Sequence, residues 1–392
     1  MSVVASSFPL GAGTTLAELT ADPHARLARL RAREPVSWLP ALGAWLVTRR
    51  DLALDVMRDT ATFTVDDPRF STAQVVGPSM LSLDGDEHAR HREPFNPPFR
   101  PRRVHDNFAA SIEQETGRLI DALRPSGAAD LRRAFAGPLA VAVVTDALGL
   151  AGVGADTVLS WYDAIVRSVS EITAGRAAGT AGPAAYAQLR AAVEGTVADR
   201  HSSSLLVAAA ERLELPEVAS NAAVMMFGGI ETTEAMITNA LLQLLRHPDQ
   251  LALVQADFDL LDGAVEESLR LEPGAVVVDR YATRDIALGP ATIRAGDPVT
   301  VSLAGANRDP AVFPDPDRFD VRRANARLQL AFAHGPHHCV AAHLARLETR
   351  IALEQLLRRL PGLRLDPDHP ASPEGLVFRK PPSLHLLWDR PA

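Results

Sequence analysis

Apolar positions recur at helical spacing through most of the first two-thirds of the chain. In "PHARLARLRAREP" (Pro23 to Pro35) the leucines share one face and the pattern stops at a proline, which predicts an amphipathic helix. "RRDLALDVMRD" reads the same way. Between them "SWLPALGAWLVTRR" carries short apolar runs around a glycine and predicts two short strands joined by a turn. The stretch from Thr64 to Leu81 has prolines, a glycine and no clear period, so it predicts a long loop, and loops of that length are often functional. From Pro216 to about Arg246 one pattern runs on without a break. It is apolar on most faces, which predicts a long helix buried at the centre of the molecule. "LDGAVEESLRLEP" predicts a further helix, stopped by Pro273. Short strands are expected in "AVVVDRYATRDIAL" and "DPVTVSLAGAN", then a proline-rich meander, "NRDPAVFPDPDRFDVRR". A last helix from Val340 to about Leu360 and a β-like C-terminal segment follow. Helices outnumber strands and no βαβ alternation appears, so the expected class is mainly α with small β-sheets (α+β). No internal repeat is present, and residues 1–392 read as a single domain.

Composition narrows the function. Apolar residues make up 47 % of the 392, enough for a large core, and the net charge of −8 argues against a protein built to bind nucleic acid. "MSVVASSFPLGAG" lacks a basic region followed by a long apolar one, so no signal peptide is expected. No apolar run reaches the roughly 18 residues of a spanning helix, and a cytoplasmic protein without membrane attachment is expected. Of the 40 Lys and Arg residues, Lys380 is the one lysine; with so much alanine this looks like GC-rich codon usage. Individual arginines are therefore weak evidence for anion binding.

The single cysteine excludes intramolecular disulfides and multi-cysteine metal or iron–sulfur sites. It lies in "FAHGPHHCVAAHLARLE" (Phe332 to Glu348), where Cys339 is flanked by His334, His337, His338 and His343. A zinc ligand, a nucleophile, a haem ligand and an inert buried thiol are all compatible with one cysteine. The helix that starts just after it offers unpaired N–H groups and a positive dipole end, which favour a thiolate. Adjacent His337, His338 and Cys339 fit a zinc tetrahedron poorly.

The loop resembles the haem-binding loop of the cytochrome P-450 family: Phe332, Gly335, His337 and Cys339, followed by Leu344, Ala345, Arg346 and Glu348. The resemblance implies haem b held between the long central helix and the cysteine loop with its last helix. Cys339 would be the proximal thiolate on iron, His337 would contact a propionate, and Phe332 would pack beside the thiolate. Ala333 and Ala341 stand where the family often has glycine, and both are read as tolerated.

Three further motifs follow the family's order. In "EESLR", Glu267 and Arg270 share a helix face; alone they would read as an exposed ion pair worth under about 1 kcal/mol. The resemblance joins them with Arg318 of "FPDPDRF" in a buried network that holds the cysteine loop. In "FGGIETTEAM", Gly228 and Gly229 cost a helix roughly 1 kcal/mol each, which marks a place where it can open. There the resemblance gives Thr232 the role of hydrogen-bonding dioxygen and Glu231 that of relaying protons, as cleavage of the O–O bond requires. Thr233 is expected to be backbone-bonded. In "LSLDGDEHARHREPFNPPF" the resemblance sends His88 and Arg92 to a haem propionate, with Arg280 as a further propionate arginine; His91 is expected on the surface.

The implied activity is that of a haem-thiolate monooxygenase that activates dioxygen and hydroxylates or epoxidises a hydrophobic small molecule, plausibly in secondary metabolism. The pocket lining is expected from Val75, Val76, Met226, Phe227, Val276, Val277, Leu376 and Val377, all but one aliphatic. Electrons would come from a reduced nicotinamide through ferredoxin and ferredoxin reductase or a flavodoxin-type donor, docking on a basic face made by Arg100, Arg102, Arg103, Arg322, Arg323 and Arg327. A monomer is expected. A peroxide-driven oxygenase, a coupling or desaturating enzyme, and a non-catalytic haem-binding partner are the alternatives.

Overall fold

The computed structural model describes residues 7–150, 152–173, 176–177, 179–199 and 204–390. Its longer helices are α1 (His24–Arg33), α2 (Arg50–Arg58), α3 (Ser71–Val76), α4 (Gly85–Arg92), α5 (Pro101–Leu123), α6 (Gly137–Leu148), α7 (Ala155–Thr173), α8 (Ala181–Ala198), α9 (Leu215–Arg246), α10 (Pro248–Ala256), α11 (Leu261–Leu271) and α12 (Ala342–Arg359). The strands are β1 (Val36–Leu39), β2 (Ala44–Val47), β3 (Phe63–Thr64), β4 (Ala128–Asp130), β5 (Val277–Ala282), β6 (Ile286–Leu288), β7 (Ala291–Ile293), β8 (Pro298–Ser302), β9 (Arg364–Leu365) and β10 (His385–Leu387).

The central helix α9 organises the rest. Its first turn is fixed by Pro216 and by a reciprocal pair of bonds between Glu214 and Glu217. Most of its 32 residues are buried, because α6, α8, α11 and α12 pack around it. That burial explains the apolar character of nearly every face. Its core residues, Met226 and Ile230 among them, join those of α5, α6 and α12 in one continuous cluster.

The five-stranded sheet has the order β1-β2-β8-β5-β3. The β2–β8 pair is parallel and the other pairs are antiparallel. Its own cluster includes Trp45, Val47, Met57 and Val299. β10 pairs with both β4 and β9, so the C-terminal segment is tied to the chain's middle.

The stretch from Thr64 to Leu81 is not all loop. It contains α3, which buries Thr72, Val75 and Val76 and packs on α7. A helix of six residues is under two turns, too short for a period to show. It ends at Gly77, whose φ of 83° is a left-handed value that glycine adopts without steric cost. Among the described residues, no helix is long and apolar enough to cross a membrane.

Candidate functional site

The cysteine loop is held from several sides. Cys339 N–H donates to Phe332 O at 2.9 Å and His338 N–H to Gly335 O at 3.0 Å, closing a tight turn. Gly335 has φ 76°, and a methyl on it would stand 2.6 Å from Met57 O, so only glycine fits. The Arg346 guanidinium lies over the Phe332 ring at 4.4 Å. Cys339 is half-buried, three residues before α12. Burial pushes its thiol up; the Ala341 N–H and the charges of Arg92 and Arg346 pull the other way. Among the described residues, no group of three or more His, Cys, Asp or Glu side chains could hold a metal ion, so zinc has no ligand set here.

Ala333 has φ 57°. An L-residue with a Cβ is strained there by roughly 1–2 kcal/mol. Its methyl packs against the cluster that contains Met57 and Leu330, which offsets part of that. Ala333→Gly is therefore expected to stabilise the protein by about 1 kcal/mol in urea unfolding. A loss of stability would show that the methyl's packing outweighs the strain.

Two buried polar side chains keep atoms without a hydrogen-bond partner. His88 is 6 % exposed and its Nε2 has no hydrogen bond; Arg280 is 3 % exposed and its Nε and Nη2 have none. Arg280 Nη1 donates to Asp279 O at 2.7 Å, but its other buried donors are left over at a cost, and carboxylates of a porphyrin would satisfy them. The residues present fit a haem on that ground. Burial, then the charges of His337 and Arg92, hold His88 down to about 4. Its ring centre lies 4.4 Å from that of His337, the two rings tilted at 46°. His337 Nε2 is itself 2.8 Å from Asp84 Oδ1. Burial alone would raise the Asp84 carboxyl, but hydrogen bonds from His337, Thr64 and Val65 hold it at about 2.

The Arg92 guanidinium donates to Pro336 O at 3.0 Å and to His338 O at 2.5 Å, so it braces the cysteine loop. His91 is not on the surface. It is 2 % exposed, with Nδ1 3.0 Å from Asn221 Nδ2, and it ties α4 to α9.

On α9 the two glycines differ. A methyl at Gly228 would meet no atom within 4 Å, whereas one at Gly229 would stand 3.0 Å from Val144 of α6. Gly228 opens onto space beside the helix; Gly229 is a close-packing residue. The Thr232 hydroxyl donates to Gly228 O at 2.5 Å, so Thr232 and not Thr233 carries the backbone bond. Glu231 turns toward the C-terminal segment, where its Oε1 is 2.7 Å from Lys380 Nζ.

The expected pocket lining divides. Val75, Val76, Met226 and Phe227 belong to the main cluster. Val276, Val277 and Leu376 pack instead in a separate cluster with Leu30, Leu39 and Leu46, and Val377 O accepts from Val276 N–H at 2.9 Å. Phe378 lies edge-on to Phe227, ring centres 5.2 Å apart.

The buried charge network exists, with one change. Glu267 and Arg270 are both fully buried and bidentate, at 2.7 and 2.8 Å. The second guanidinium is that of Arg323, 2.8 Å from Glu267 Oε1. Arg318 contributes its carbonyl, which accepts from Arg270 and Arg323, and not its side chain. Glu266, next along α11, binds Arg346 and Gln329, and Gln329 in turn accepts from Ala331 N–H. This second chain fastens α11 to both sides of the cysteine loop.

A cavity of about 280 Å³ is lined by Cys339 itself together with Arg92, Asn96, Phe99, Arg100, His338, Val340 and His343. Arg102, Arg103, Arg322 and Arg327 are exposed, while Arg323 is drawn into the network and leaves the expected basic face.

Comparison with known proteins agrees with this geometry. The family model described as Cytochrome P450 matches residues 198–387. Cytochrome P450 monooxygenase PikC of Streptomyces venezuelae is 37 % identical over 94 % of this chain and 90 % of its own. The mycinamicin IV hydroxylase/epoxidase of Micromonospora griseorubida is 35 % identical over 93 % and 95 %. The crystal structure of CalO2 superposes with a TM-score of 0.86, at 29 % identity over 96 % of this chain and 99 % of that one. The P450BioI structure, solved with a fatty-acid-ligated acyl carrier protein, gives 0.85 at 27 % identity over 94 % and 99 %. The chain belongs to the cytochrome P450 family and is a haem-thiolate monooxygenase that oxidises small molecules with electrons delivered by redox partners.

Proposed function

We propose that Cys339 is the thiolate ligand of the haem and that the chain hydroxylates or epoxidises a bulky, mostly apolar secondary metabolite. The observation that carries the ligand assignment is the chain's one cysteine, set three residues before α12 in a loop braced by Arg92, together with donor atoms of the buried His88 and Arg280 that have no hydrogen-bond partner. When bound, the haem supplies the site at which dioxygen is reduced and its O–O bond cleaved. Arg280 and His88 hold the propionates, with His337 oriented by Asp84. Phe332 covers the thiolate, and the strained Ala333 lets the loop turn beneath it. At Gly228 the missing side chain leaves room for dioxygen. Thr232 exchanges its bond to Gly228 O for one to an oxygen atom in the pocket, and Glu231 supplies protons to it.

The wall made by Val75, Val76, Met226, Phe227 and Phe378 holds the substrate by contact and excludes water. Relatives named for mycinamicin IV, for a steroid and for vitamin D(3) support a large apolar scaffold. Ferredoxin with its reductase is the donor, docking over the cavity at Cys339 among Arg100, Arg102, Arg103, Arg322 and Arg327; an acidic partner surface suits that cluster. The chain works as one unit, 1–392, and as a monomer.

An optical titration of the ferric protein tests the substrate class. Steroids, vitamin D(3) and mycinamicin-type compounds are expected to shift the spin state, and small charged molecules are not. The opposite order would contradict the proposal.

A further inference from the structure

Among 40 Lys and Arg residues, the single lysine is buried against the carboxylate proposed to deliver protons. Lys380 is 8 % exposed. Its Nζ is 2.7 Å from Glu231 Oε1 and also bonds Glu234 Oε2, one turn along α9. Glu234 Oε1 accepts from Arg132 Nε at 3.0 Å, and Arg132 Nη1 reaches Pro382 O at the surface. Two carboxylates and two cations thus alternate from Glu231 outward, in the order Glu231, Lys380, Glu234, Arg132. The segment bearing Lys380 is fixed on both sides. Phe378 touches Phe227, Asn239 Nδ2 holds Arg379 O, and Lys380 exchanges backbone hydrogen bonds with Glu374.

Arginine would serve if the site needed only positive charge. It carries the charge permanently and cannot give up a proton at ordinary pH, whereas a lysine ammonium can. Lysine is also a compact point charge, which suits a position between two carboxylates better than a planar fork.

We propose that Lys380 is a positioning residue for Glu231 and the cation that supplies the proton Glu231 passes on. The proposal rests on the reading of Glu231 as proton donor. The balance is simple. Each oxygenation consumes dioxygen, two electrons from the nicotinamide and two protons, and releases one water. Each proton that Glu231 passes on comes first from Lys380 Nζ, and the amine regains its proton from solvent by way of Glu234. Lys380 ends the cycle as it began.

The test compares Lys380→Arg, Lys380→Met and Glu231→Gln in the haem-loaded protein with one identified substrate. Both Lys380 variants are expected to keep haem content and substrate affinity. Product per reduced nicotinamide should fall about tenfold or more, and the solvent isotope effect on product formation should rise. Lys380→Arg is the decisive variant, since it keeps the charge and the fold. Native coupling and isotope effect in either Lys380 variant, beside an uncoupled Glu231→Gln, would overturn the role of Lys380 alone. Native coupling in Glu231→Gln would remove the relay itself, and the proposal with it. A readout independent of turnover is the infrared carboxyl band at neutral pH. Burial pushes the Glu348 carboxyl up to about 8, so that group gives a band in every variant; Lys380→Met, where two buried carboxylates share one arginine, should add a further band that the native and Lys380→Arg proteins lack. No further band in Lys380→Met would contradict the placing of a needed cation between two ionised carboxylates.

Discussion

Arg270→Ala is expected to give little soluble, haem-loaded protein. Arg270 has no exposed surface, and its guanidinium makes five hydrogen bonds: two to Glu267 and one each to the carbonyls of Asn307, Pro316 and Arg318. Removing it leaves the Glu267 charge with Arg323 as its one remaining guanidinium and takes the Arg270 donor from the Asn307 and Pro316 carbonyls, while Arg318 O keeps Arg323. Breaking a buried pair in this way costs about 3–5 kcal/mol. That is a large part of the roughly 5–15 kcal/mol that keeps a domain folded. An exposed pair such as Arg294–Asp285 is worth about 0–1 kcal/mol, so Arg294→Ala is the control and should express normally. The network makes a sharper distinction too. Arg323→Ala should follow Arg270→Ala in direction, whereas Arg318→Ala should be nearly silent, because only its carbonyl takes part. Haem-to-protein ratio and soluble yield decide it; a normal ratio in Arg270→Ala would show that the network does not hold the loop.

Thr232→Ala should have the larger effect on chemistry. The Thr232 hydroxyl is bonded within its own helix, to Gly228 O, and its loss removes no contact between elements. Haem content and substrate affinity should therefore stay close to native. What changes is the fate of the electrons. Without the hydroxyl, protons reach dioxygen without productive cleavage of the O–O bond, and reducing equivalents leave as hydrogen peroxide. Proton transfer by a positioned group is worth roughly 10²–10⁴-fold, so product per nicotinamide should fall by about tenfold or more. Peroxide added directly arrives with its protons and should bypass part of the defect. Unchanged coupling would take Thr232 out of the mechanism and favour a peroxide-driven or non-oxygenating reaction.

Much of this architecture is legible in the sequence where a pattern is long or a motif is dense. The 32-residue α9 shows as one apolar run because it is packed from several sides, and the cysteine loop shows because its phenylalanine, glycine, histidine and cysteine have fixed spacing. Other features depend on direction, which spacing does not contain. Several arginines crowd the meander after α11, and the chain's path decides that Arg323 points inward while Arg318 presents its carbonyl. Val276 and Val277 are apolar enough to read as pocket lining, but just before and at the start of β5 both pack in the cluster with Leu30, Leu39 and Leu46. Adjacent Gly228 and Gly229 point to different sides of one helix, 100° apart per residue. Arg92 has its expected place on α4, but the loop carbonyls lie within its reach. Lys380 does leave a trace in the composition, as the one lysine among arginines, yet nothing local says that it reaches Glu231.

The central claim is that Cys339 binds haem iron as a thiolate. The most direct measurement is the absorption spectrum of the reduced carbon-monoxide complex, for the native protein and for Cys339→Ser. The native complex should show the red-shifted Soret band of thiolate ligation, and Cys339→Ser should lack it while Arg280 and His88 remain able to hold the porphyrin. The band surviving in Cys339→Ser, or a native complex without it, would contradict the account.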